Sequence, residues 1–193
     1  MANVNFISTA RILAALKTFL EQLKLPPGAV APNCEPGTVN CEPPPQAAPL
    51  FQVVRPYDST QIDKAFSDLL VQNERRLCFI LPQRQTFEHL REGPKLRVAK
   101  VPQFALLITD TDRRTGQQAL FGGPDNPGTI TLADIVTDAL TGQTLGIPGV
   151  VISPLEGDDI TVHDERKPQD PGRKGWLLLL ETPAGTRHVP LPR

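Results

Sequence analysis

What this sequence has little of narrows its class before any motif is read. Aromatic residues make up 5% of the chain, with a single Trp and a single Tyr, and there are three cysteines in 193 residues. Three cysteines do not supply the disulfide framework with which small secreted domains compensate for a thin core. Cys34 and Cys41 lack the paired Cys-x-x-Cys spacing of a zinc site. They stand either as two free thiols in a reducing compartment or as one late disulfide. Cys78, inside the run Leu77–Leu81, reads as a small buried hydrophobe. An excess of one charge is also missing: 20 basic against 21 acidic side chains leave a net charge of −1. That balance argues against a general nucleic-acid binder relying on phosphate neutralisation. No apolar run approaches the ~20 residues needed to span a bilayer. The start, Met1 to Ile7, has neither a basic n-region nor a signal-type cleavage site. These absences predict a soluble, non-secreted protein.

What the chain does have is core-forming material and proline. Leu, Ile, Val and Phe exceed a quarter of the residues, above the roughly one fifth below which chains of high net charge stay disordered. The length fits one α+β domain over residues 1–193. Residues 8–25 repeat Ile12, Leu13, Leu16, Phe19, Leu20 and Leu23 at three and four, which predicts an amphipathic helix with Ser8 or Thr9 as cap and Pro26-Pro27 as stop. Residues 26–49 carry eight prolines and no periodicity. They predict an extended surface loop, either a simple insert or an arm reaching a neighbouring subunit.

Leu50–Arg55 then reads as a strand. A second helix follows, opened by Thr60 and Asp63 and bearing Ile62, Phe66, Leu69 and Leu70. The continuous apolar runs Leu77–Leu81 and Phe104–Thr109 have the length of strands buried on both faces. Between them, residues 84–101 alternate and carry many charges around Glu92-Gly93-Pro94, a turn signal, so a projecting β-hairpin is expected. A polar loop over 110–128 precedes a short helix capped by Thr131, with Leu132, Ile135, Val136, Ala139 and Leu140 inside and Gly142 at its end. Strands are expected at Gly149–Pro154, Ile160–Val162 and Gly175–Glu181, then an extended tail over 183–193. This order predicts a mixed, mainly antiparallel sheet packed with two or three helices and a protruding hairpin.

Chemical motifs are sparse. Asp110-Thr-Asp112 follows a buried strand, where two carboxylates suit a divalent ion, but Arg113 and Arg114 compete for them and a solvated strand end is the plainer reading. His89, His163 and His188 show no zinc-protease spacing, and Ser153 lies outside any nucleophile elbow. His163 sits among Asp158, Asp159, Asp164 and Glu165, which reads as an exposed acidic loop. A metal-dependent hydrolase or transferase using Asp110, Asp112 and His163 is the distant alternative. No set of nucleophile, base and oxyanion donors assembles.

Charge distribution says more. Residues 75–114 hold nine basic and four acidic side chains, and residues 156–170 hold six acidic and two basic. Such polarity is either incidental to exposed loops or what a head-to-tail subunit contact requires.

The passages "RPYDSTQIDKAF", "FALLITDTDRR", "TLADIVTDALTGQTL" and "GVVISPLEGDDITVHDERKPQDPGRKGWLLLLE", in this order after an amphipathic N-terminal helix, resemble a tail terminator of tailed bacteriophages. The likeness is one of element order across most of residues 5–182, and the 34–49 insert has no counterpart in it. The resemblance implies a non-enzymatic virion protein without cofactor, at the head-proximal end of the tail. There it forms a hexameric ring that stops tube polymerisation, after assembly in the host cytoplasm.

Its implied partners are further copies of itself, the tail tube protein, the sheath protein where the tail contracts, and the neck or head-completion protein. Genomic DNA passes through without specific binding, and no membrane is involved. A neck or head-completion ring of the same particle is the alternative. The subunit-interface candidates are Arg91, Lys95, Arg97, Lys100, Arg113 and Arg114 on the basic side. On the acidic side they are Asp158, Asp159, Asp164 and Glu165.

Overall fold

The computed structural model describes residues 6–26, 48–58, 60–71, 76–92, 95–110, 116–122, 127–163 and 173–190. The proline-rich insert, apart from its ends, and the expected Cys34 and Cys41 features lie outside the described residues. The elements run α1 (Thr9–Gln22), β1 (Val53–Pro56), α2 (Ile62–Val71), β2 (Arg76–Glu92), β3 (Lys95–Asp110), α3 (Gly116–Phe121), α4 (Thr129–Leu140), β4 (Ser153–Val162), β5 (Arg173–Glu181) and β6 (Thr186–Pro190). The fold is α+β. One sheet has the order β1-β2-β3-β5-β4, with β6 pairing β3 beyond the end of β5. Only β1 and β2 run parallel; every other pair is antiparallel. Among the described residues no helix is long and apolar enough to cross a membrane.

Alternation along the central strands builds two cores from one run of apolar residues. Cys78 and Ile80 of β2, with Phe104, Leu106 and Ile108 of β3, meet Ile12, Leu16 and Leu20 of α1 and Leu132, Val136 and Leu140 of α4. Leu77, Phe79, Leu81, Ala105 and Leu107 point to the other face and meet Ala65 and Leu69 of α2. A strand covered on both faces has no reason to alternate polar and apolar residues, which is why 77–81 reads as unbroken hydrophobe. Removing each such large side chain from water stabilises the fold by ~1.5–3 kcal/mol. Burial pushes the Cys78 thiol well up, so it stays protonated. α2 is further tied to β1 where Asp68 Oδ2 accepts from Tyr57 Oη (2.7 Å) and from Arg55 Nη1 (3.1 Å).

Several local expectations change. Asp58 caps the approach to α2, with Oδ1 accepting from the Thr60 amide; Thr60 is not the acceptor. The helix expected to be capped by Thr131 begins three residues earlier, with Gly128 as N-cap. Gly142 does end it: at φ +75 its amide donates to the Ile152 carbonyl (3.0 Å), a left-handed turn that favours glycine. The strand expected at 160–162 runs back to Ser153 as β4, with a register shift between Pro154 and Glu156, whereas of the strand expected at 149–154 only Ser153 and Pro154 belong to it and Val150 forms an isolated bridge to Ala184. Part of the tail is a strand as well: Thr186–Pro190, β6, pairs Lys95–Ala99 after Gly185, whose φ is +90, and residues 191–193 lie outside the described residues.

Candidate interaction surface

The two longest strands of the sheet, β2 and β3, stay paired from Arg76↔Asp110 to Glu92↔Lys95 with one irregularity, between Pro82 and Gln85. Inside that bulge the ribbon is sheet centre; outside it the ribbon carries the expected hairpin. A bulge bends its strand and increases local twist. Here it is braced by side chains the sequence reading did not single out. Arg84 Nε donates to Gln103 Oε1 (2.8 Å), and Gln103 Nε2 donates to Glu181 Oε1 (2.6 Å), joining β2, β3 and β5 in one row.

The outer ribbon is anchored from one face by the chain just before and at the start of α1. Phe6 meets Phe87 edge-on with ring centroids 5.9 Å apart, Thr9 Oγ1 donates to Gln85 Oε1 (3.0 Å), and the Ile7 amide donates to the Ala184 carbonyl (3.2 Å). Lys100 belongs to this clasp. The expectation that it faces an acidic partner is corrected: it is only 8% exposed, and its Nζ donates to the Ile7 carbonyl (2.8 Å). Burial lowers its pKa, because a desolvated ammonium is disfavoured. Its backbone also joins the ladder, donating to Gly185 and accepting from Ala184.

Of the other basic candidates, Arg97 is half-buried. Arg91 and Lys95 sit in strand register, opposite Leu96 and Glu92, and their side chains lie outside the described set. Arg113 and Arg114 lie outside the described residues. On the acidic side Glu156, Asp158 and Asp159 are exposed along β4; Asp164 and Glu165 lie outside the described residues. β4 is the last strand of its side of the sheet and pairs only β5 among the described strands. Gly157 is needed there because the Trp176 ring lies across it: a Cβ at Gly157 would sit 2.3 Å from Trp176 Nε1.

The remaining chemical candidates are placed as follows. Asp110 is not a solvated strand end. It is fully buried, its Oδ2 accepts from the Gly128 amide (3.0 Å), and its own amide donates to Thr129 Oγ1 (3.0 Å). Thr129 in turn donates to the Ala119 carbonyl (2.8 Å). A carboxylate at a helix N-terminus is stabilised by the orphan amides and the helix dipole, so this one ties β3, α3 and α4 together. Asp112 lies outside the described residues. His163 is exposed just beyond the end of β4. Among the described residues no group of three or more His, Cys, Asp and Glu side chains is placed to hold a metal ion.

Neither the comparison with protein-family models nor the comparison with curated proteins finds a match to this chain.

Proposed function

We propose that this chain is a structural ring protein of a phage tail, a terminator that caps the head-proximal end of the tail tube, stops its growth and presents a surface to the neck. One observation carries the reading. The outer β2 edge of the charged ribbon and the acidic β4 edge lie on opposite sides of one sheet. A surface that complements another surface elsewhere on the same molecule makes head-to-tail contacts, and such contacts close into a ring when the rotation allows. The resemblance of the element order to that of tail terminators supports the same assignment, as does a near-neutral net charge in a ring that must let DNA slide. On this reading the protein is not an enzyme and needs no cofactor. Its partners are its own copies, the tube protein, the sheath protein in a contractile tail, and the neck protein.

The test is assembly on tubes. Tube protein from the same virus, polymerised with and without this chain, is imaged by electron microscopy. The expected result is shorter tubes, each ending in a six-fold ring of this chain. Tubes that elongate unchanged, or a ring of other symmetry placed at the head portal, would sink the terminator assignment.

A further inference from the structure

The ring reading leaves one aromatic surface and the proline-rich insert without a task. Phe51, Tyr57, Phe79 and Phe104 are buried, but Phe87 is 47% exposed even though Phe6 packs against it. The two rings meet at 64° with centroids 5.9 Å apart. They form an open corner beside the start of α1, with Gln85, Glu88 and His89 exposed around it. Aromatic walls of this kind receive proline-rich segments, because a polyproline helix is already extended and loses little freedom on docking.

The chain carries such a segment. Residues 27–47 lie outside the described residues, but both of their ends are fixed. The Leu25 amide donates to the Ala48 carbonyl (2.9 Å), the Leu50 amide donates to the Leu23 carbonyl (2.7 Å), and Lys24 bridges Pro49. Just before the second anchor the sequence reads Cys41-Glu-Pro-Pro-Pro-Gln46, three consecutive prolines whose rings set their own φ. A long stretch without periodicity inside a compact domain is usually there for function.

The triplet does not reach the corner of its own chain. Pro43 is five residues from the anchored Ala48, and a fully extended chain spans at most ~3.6 Å per residue, so the triplet extends no more than about 18 Å from its base. Thr9, which bonds Gln85, and Gln22 stand at opposite ends of α1, about 20 Å apart at the helical rise. The base of the insert lies past Gln22, and Phe87 lies beyond Gln85. Along the sheet the gap is wider: from Arg76, whose carbonyl accepts from the Gln52 amide, to Phe87 there is roughly 35 Å of strand. We infer that Pro43–Pro45 of one copy docks on the Phe6–Phe87 corner of a neighbouring copy, so that the insert is an arm tying adjacent subunits together. The neighbour is what the ring reading provides, and the contact rests on it.

Cross-linking on the full chain tests this, with Cys41 as the probe on the arm and Cys78 buried out of reach. A Cys34→Ser chain is mixed at high concentration with a chain carrying Cys34→Ser, Cys41→Ser and His89→Cys, and a short bismaleimide is added. The expected result is a covalent dimer from the mixture and little from either chain alone. Phe87→Ala in the His89→Cys chain should lower that yield about tenfold, as loss of one anchor contact does, and Phe87→Tyr should retain it. Pro43→Gly, Pro44→Gly and Pro45→Gly together in the arm should lower it as far. No adduct from the mixture, or an adduct indifferent to Phe87→Ala, overturns the arm; if Phe87→Ala nevertheless abolishes tube capping, the corner belongs to a partner protein instead. An adduct within single chains carrying both Cys41 and His89→Cys, formed at high dilution, overturns it as well, because docking is then internal. The ring reading fails separately. Adducts that grow into open chains without closing leave the arm standing and sink the ring, whereas closed hexamers without any adduct sink the arm and leave the ring.

Discussion

The inner and outer halves of the β2–β3 ribbon share two strands and one hydrogen-bond ladder, yet they live in different solvents. Inside the Pro82–Gln85 bulge every residue from Leu77 to Leu81 is buried between helices on both faces. Outside it Gln85, Phe87, Glu88 and His89 are exposed, and what holds the strands is β6 along one edge and residues 6–9 across one face. Backbone pairing is common to both halves, so it does not explain the difference; the layers on either side do. A two-stranded ribbon is marginal in water by itself, and the third strand with its short clasp keeps the outer half in place without burying it.

The sharpest way to break the comparison is to delete one ring from each half. Phe104 is fully buried and Phe87 is half exposed. Phe104→Ala should lower unfolding free energy by about 3–5 kcal/mol, through lost burial and a cavity the packed helices do not close. Phe87→Ala should lower it by less than about 1 kcal/mol. Urea denaturation of the two variants measures the ratio, and equal losses would mean the outer ribbon is as integral to the core as the inner one.

The next largest effect concerns the far end of β3, where Asp110 fastens α4. Gly128 holds φ 80 and ψ 157, a region essentially closed to other residues. A Cβ there would stand 2.2 Å from the Gly122 amide nitrogen. Gly128→Ala should therefore cost at least about 2 kcal/mol, from backbone strain plus the displacement of residues 121–122. A change within measurement error in thermal unfolding would show that the α3–α4 junction yields easily.

How much of this was legible in advance depended on the range of the forces involved. Leu77–Leu81 and the α1 and α4 stripes are local patterns, and they led to the right layers. The hairpin was legible because its turn signal and alternation are local too. Asp110 was misread because its burial depends on Gly128 and Thr129 folding back to it, which no local pattern records. Lys100 was misread for the same reason, since its acceptor is Ile7, 93 residues away. α3 is six residues long, too short for a periodic signature. β6 was read as plain tail because its proline suits an edge strand as well as a coil. For the charged surfaces, composition located the basic ribbon and the acidic segment 156–170, but that segment reads as a loop, and only the pairing with β5 shows Glu156–Asp159 to be strand. That ribbon and strand occupy opposite sides of the sheet came only from the topology.

A smaller effect is expected from the insert. Its two ends are held side by side, with the Leu25 amide donating to Ala48 O (2.9 Å) and the Leu50 amide donating to Leu23 O (2.7 Å). Lys24 and Pro49 form a bridge between them. A short Gly/Ser linker in place of residues 27–47 closes the same gap, and closure entropy changes slowly with loop length. Keeping Pro49 retains the bridge. Thermal unfolding should shift by no more than about 1 kcal/mol equivalent, and a larger loss would reveal that the insert packs on the body.

The least effect on stability, and the greatest on assembly, is expected where the outer ribbon carries its charge. Arg91→Glu, Lys95→Glu and Arg97→Glu together reverse three charges without touching Lys100, whose bond to Ile7 keeps the clasp closed. All three positions lie on the outer ribbon, away from both buried cores, where substitutions usually change stability little. The triple variant should therefore keep its circular dichroism spectrum and unfold within about 1 kcal/mol of the parent. Across a subunit boundary the same charges act differently. Three acidic residues facing the exposed Glu156, Asp158 and Asp159 of a neighbour turn attraction into repulsion, and like charges brought together at an interface reject the partner. Rings and capped tubes should then disappear while the monomer persists, read by sedimentation and electron microscopy in parallel with the folding measurements. Tails of normal length that still join heads would mean the outer ribbon is held at a distance from its neighbours, and its difference from the inner half would be one of exposure alone.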